Sequence, residues 1–172
     1  MLKPKTNEYK SFFAGYISLV SGDSFTKITG NHNKQICNYW ENIPLEKWSY
    51  SYAPEKWTLI RVFQHIIDTE RIMSYRALCI VRDDSNKLYE FDHNKYANSD
   101  NTKNRKIDEM IKEWKWLRKC NNMMFQSFSE NDLKKHAIIG EKKLSVRAII
   151  YIIFGHALHH IKIINERYLN EN

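Results

Sequence analysis

Apolar residues recur at helical spacing in four stretches of the chain. The clearest begins after Thr58, a good N-cap residue, and runs to about Arg82 without a glycine or proline. Leu59, Phe63, Ile66, Met73 and Ala77 share one stripe of it. A second segment, from about Thr102 to Phe128, carries Ile107, Ile111, Trp114 and Leu117 on one face and Lys112, Lys115, Arg118 and Lys119 on the other. A helix nearer the N-terminus starts after Asp23 or Ser24 and runs to about Trp40, with Gly30 inside it. Another irregular stretch leads to Ser145, the N-cap of the last helix, which continues to about Leu169. It is apolar nearly all round from Ala148 to Phe154, which puts its first half at the centre of the fold.

The connections are long. Pro44 and Pro54 force irregular backbone between the first two helices. Asp83 to Asn101 is polar, with a short helical piece expected around Asn94. Four helices joined this way predict an all-α, four-helix bundle rather than a tight up-down array. The first 22 residues, with Tyr9, Phe12, Phe13 and Tyr16, are expected to form a strap packed on that bundle. Residues 1–172 are expected to form one domain, since 172 residues suit one core.

Composition sharpens this picture. Five glycines and three prolines in 172 residues fall well below average usage of roughly 12% for the two together, which excludes a turn-rich β-sandwich and a low-complexity chain. No run approaches the roughly 18 consecutive apolar residues of a membrane span, and no apolar core follows the charged N-terminus. A cytoplasmic protein without a membrane partner is expected. Cys37, Cys79 and Cys120 are too far apart to suggest a metal pair or a disulfide framework. The net charge of +7 comes from Lys and Arg interleaved with acids, which reads as solvated helix faces, so no nucleic-acid partner is expected.

Chemistry is concentrated in the seven histidines. Gly155-His156-Ala157-Leu158-His159-His160 places two imidazoles four residues apart, on one face of a helix, where they can share a metal ion. His159 shares its face with Lys162 and Glu166. His160 aligns with Ile153, Ala157 and Ile164 and should point inward, so His156 and His160 form the pair. His65 has an ambiguous place on its helix, beside Val62 and Ile72 but also near Arg61 and Arg76. Glu70 falls on the apolar stripe with Phe63 and Met73. There a carboxylate needs an arginine, a role beside a metal site, or a place at the stripe's edge.

Several segments together resemble one branch of the DinB-like family. They are Asn7-Glu8-Tyr9, Ala14 to Val20, Tyr52-Ala53-Pro54-Glu55-Lys56-Trp57-Thr58, His65 to Arg71, Tyr75 to Leu78, Val146-Arg147-Ala148 and Gly155 to His160. Ser21 stands where that pattern has Pro, and Glu55 where Gly is common. The resemblance implies a four-helix bundle holding a divalent metal, usually zinc or nickel, on His65, His156 and His160. It also implies a small-molecule substrate, with thiol-dependent transferases and metal-dependent hydrolases among the relatives, a low-molecular-weight thiol as one candidate partner, and often a homodimer. Asp68, about one turn on from His65, is a candidate base or support for a ligand. The alternative is a non-catalytic metal- or ligand-binding bundle acting in stress response.

Overall fold

The computed structural model describes residues 3–84 and 87–170. Met1-Leu2 of the charged N-terminus and residues 85 and 86 of the polar connection lie outside the described residues.

The strap consists of two 3-10 turns, Thr6–Glu8 and Ser11–Phe13, and a short helix α1 (Ala14–Ser18). The bundle helices are α2 (Phe25–Tyr39), α3 (Leu59–Val81), α5 (Ile107–Gln126) and α7 (Val146–Ile164), the last continuing as a π-helical turn Asn165–Leu169. The short α4 (His93–Asn98) lies in the polar connection, capped by Asp92, whose carboxylate accepts from the backbone N–H groups of Asn94 and Lys95. Ser24 and Ser145 cap α2 and α7 by accepting from Lys27 and Ala148.

Side-chain pairs give the helix directions. Tyr39 bonds Asn165 and Tyr151 bonds the Gly22 carbonyl, so α2 and α7 run parallel. Gln64 meets Arg105, and Arg71 meets Glu113, so α3 and α5 also run parallel. His65 faces both His156 and His160, and Trp57 meets Tyr168, so α3 and α7 are antiparallel. The order is therefore up-down-down-up. Two parallel neighbours cannot be joined by a tight turn, which is the physical reason for the long connection between α3 and α5.

The core is aromatic at one end, where Trp40 stacks on Phe63 at 4.3 Å and Trp114 meets Trp40 edge-on at 6.0 Å. α7 runs through the middle, buried without interruption from Ala148 to Ala157. By length and composition Val146–Leu169 could cross a membrane, yet 67% of its most apolar stretch is buried in the bundle, and that burial accounts for its apolarity.

Three expectations need correction. Arg118 is not on the solvated face of α5 with its lysines; it is 1% exposed. The inward stripe is Met110, Trp114, Arg118, Asn121 and Phe125, and Arg118 turns in because Glu70 of α3 awaits it at 2.7 Å. Asn121 donates to the same carboxylate, and the guanidinium lies against the Trp114 and Phe154 rings. Phe12 does not pack down with the other strap aromatics; it is 68% exposed, edge-on to Phe13 and Tyr16. Lastly, the stretch before α7 is not irregular. It holds a short helix α6 (Glu130–Lys134) and a hairpin of β1 (His136–Ile139) and β2 (Lys142–Ser145), closed by Gly140-Glu141. Gly140 has φ +60°, which a two-residue hairpin turn demands.

Both departures from the family pattern have local consequences. Glu55 adopts φ 64°, the left-handed conformation that glycine enters freely. The Ser21 backbone N–H donates to Nε2 of buried His32 at 2.9 Å, a bond a proline there could not make.

Candidate metal centre

α3 contributes His65, and α7 contributes His156 and His160 one turn apart. Nε2 of His156 lies 3.0 Å from Nε2 of His65 and 3.1 Å from Nε2 of His160. One ring nitrogen from each residue lies within 4.8 Å of those of the other two. His159 stays outside this cluster and rests edge-on against Tyr16 at 5.1 Å.

The strap forms the wall over the trio, and Gly155 makes that possible. A Cβ there would collide with the Tyr16 carbonyl oxygen and lie 2.5 Å from its carbon. With no side chain at 155, α1 approaches α7 closely and Tyr16 covers His156, the ring centroids 5.5 Å apart. Trp57 flanks His65 at 5.3 Å.

Burial keeps all three imidazoles neutral at pH 7. It pushes His65 down to about 4, with neighbouring His93 adding to the effect. It pushes His160 down to about 3, helped by His65 and His159. His156, the most enclosed, is held well below the ordinary histidine value by burial and then by its two partners. Neutral imidazoles offer lone pairs, as metal ligands must.

The donor set fits a divalent ion. A neutral Nε2 carries either one hydrogen or one lone pair, so His156 cannot hydrogen-bond both neighbours well. Three converging lone pairs repel one another unless a cation sits among them. A set of three histidines also leaves coordination positions open, the arrangement found in catalytic rather than structural zinc sites.

The trio opens on a cavity of about 750 Å³ that runs along α3 past Thr69 and Met73 to Arg76. Its far end is closed by Phe91 and by Ile139 and Leu144 of the hairpin. Asp68 is not brought to this cavity. It faces a second, polar cavity with Asp100 and Arg105, accepts from Gln64 at 2.8 Å, and burial raises its carboxyl. Glu70 serves Arg118, not the trio. Sequence reasoning missed His93, whose ring lies 5.9 Å from that of His65, and Arg76. The Asp92 cap before the helical piece was the one local signal for His93; nothing local marked Arg76 as cavity-lining.

Comparison with known proteins places this architecture in a family. The DinB superfamily profile matches residues 33–164, and the chain belongs to that superfamily. Among solved structures, it is similar to YfiT from Bacillus subtilis, with a TM-score of 0.68 and 12% identity over 85% of this chain and 88% of that one. That structure is described as "a probable metal-dependent hydrolase with an unusual four-helix bundle topology". At this identity the likeness establishes the shared fold. No match was found among curated proteins.

Proposed function

We propose that the chain is a divalent-metal-dependent enzyme of the hydrolase type, acting on a small molecule, with His65, His156 and His160 holding the ion. The observation that carries this reading is the convergence of three neutral Nε2 atoms at the wall of a cavity large enough for a substrate. The description of YfiT points the same way. When bound, zinc or nickel would supply Lewis acidity, polarising a carbonyl and making water nucleophilic at neutral pH. The chain's own residues do the rest. The trio would hold the ion, Tyr16 and Trp57 would shield it from bulk water, and the apolar cavity walls would hold the substrate.

Elemental analysis of the purified protein should find about one divalent ion per chain, lost in His156→Ala and retained in His159→Ala. Unchanged metal content in His156→Ala would overturn the site. Metal-loaded protein should then hydrolyse esters or amides. Turnover only with an added thiol would make it a transferase. No turnover with either would leave a metal-binding bundle without catalysis.

A further inference from the structure

Among the described residues two arginines are buried, and one of them has a carboxylate partner there. Arg118 has Glu70 at 2.7 Å. Arg76 is 7% exposed, yet among the described residues no carboxylate oxygen comes within 4.0 Å of it. Its guanidinium donates to the Tyr89 carbonyl at 2.5 Å and to the Met73 sulfur, a weak acceptor, at 3.3 Å, and it lies over the Phe91 ring at 5.6 Å. Glu90 lines the same cavity, and the field of its carboxylate favours the charged form of Arg76. The Asp92 carboxylate is occupied in capping α4. A buried, permanently charged group with no carboxylate bonded to it is costly, and an anion in the cavity would supply the missing bonds.

Arg76 also faces the right space. His65, Thr69, Met73 and Arg76 follow one another on a single stripe of α3, and all four line the cavity. Eleven residues separate His65 from Arg76, about 16 Å along the helix axis. Side chains on a helix lean toward its N-terminus, and the long Arg76 side chain, which reaches back to Met73, leans further than that of His65, so the guanidinium stands on the order of 10 Å from the trio. Between the two ends the Thr69 hydroxyl is buried and has no hydrogen-bond partner among the described residues. The walls around it, Phe13, Tyr16, Met73 and Ile152, are apolar or aromatic.

We propose that the cavity takes an elongated small molecule with an oxyanion head, a carboxylate or a phosphate, that Arg76 holds. The body of the ligand lies along the apolar walls, and its other end reaches the histidine trio. The geometry of Arg76 makes it a specificity residue: it selects substrates charged at one end and about 10 Å long. That this molecule is a substrate rests on the metal-enzyme reading. That it binds does not.

The test therefore measures binding to protein stripped of metal with a chelator. The probes are 6-phenylhexanoate, 6-phenylhexyl phosphate and neutral 6-phenylhexanamide, titrated by calorimetry into the full chain and into Arg76→Met. At least one anion should bind the full chain about tenfold more tightly than the amide, and Arg76→Met should erase that preference. The tighter anion identifies the head group. Arg76→Met should melt no lower than the parent, since it removes a buried charge without a carboxylate partner. His156→Ala should keep the preference, which separates this proposal from the metal reading. Equal binding of anion and amide, no binding of either anion at millimolar concentration, or a preference that survives Arg76→Met would each overturn it.

Discussion

A methyl group on Gly155 would collide with the backbone carbonyl of Tyr16, and neither partner is the flexible end of a side chain. Gly155→Ala must therefore push α1 away from α7. Overpacking of this kind costs about 2 kcal/mol, or roughly 4–8 °C in melting temperature for a chain of this size. Thermal melts check this, and Gly155→Ala should also loosen metal retention, because Tyr16 would no longer cover His156. An alanine variant as stable as the parent would show that the strap does not need this approach. At this scale much of the site was legible. Residues at i and i+4 on one helix meet whatever the fold, and the inward alignment of His160 with Ile153 and Ala157 chose it over His159. His65 was not legible from its own helix. Its neighbours on the wheel are both apolar and charged, and only the resemblance selected it. Arg76 reads as a solvent-facing arginine until the hairpin and the connection from α3 to α5 are folded over it.

The helices themselves were legible because caps and apolar stripes are local signals. Ser24, Thr58 and Ser145 mark starts that the structure reproduces. Partners are not local, so the inward turn of Arg118 could not be read. It depends on Glu70 of a parallel neighbour, and the parallel order depends on the long connection. Breaking this buried pair should be expensive. Arg118→Met or Glu70→Gln alone should cost about 3–5 kcal/mol, while Glu70→Leu with Arg118→Met should cost less than either single change. Urea unfolding of the three variants provides the comparison. The strap has its own electrostatic anchor. Glu8 accepts from Arg147 and from the Ser145 hydroxyl at 2.8 Å, tying the strap to the start of α7. Burial alone would raise the Glu8 carboxyl; the bonds from Arg147, the Lys5 backbone and Ser145 outweigh it and hold it below the ordinary value. A carboxyl depressed in the folded state contributes stability above its unfolded pKa of about 4.3, lost as pH falls through the folded value. The advantage of the parent over Glu8→Gln should therefore be constant near neutrality and shrink below about pH 4.3. An advantage that grows on acidification would contradict this clamp.

Across the whole molecule, the site joins elements that are distant in sequence. α3 and α7 supply the trio, the strap covers it, and Phe91 and the hairpin close the far end of the cavity. A bound ion should therefore stabilise the entire bundle. With free ion about 100-fold above its dissociation constant, the gain is about 2.7 kcal/mol, or roughly 5–10 °C. Chelation should remove that gain from the parent and from His159→Ala, and should leave the melting temperature of His156→Ala unchanged. The central claim is that three neutral imidazoles converge in order to hold one metal ion. Anomalous diffraction from crystals of the metal-loaded protein tests it most directly. The account predicts one peak about 2.0–2.1 Å from Nε2 of His65, His156 and His160. A peak elsewhere, or none between these three nitrogens, would contradict it.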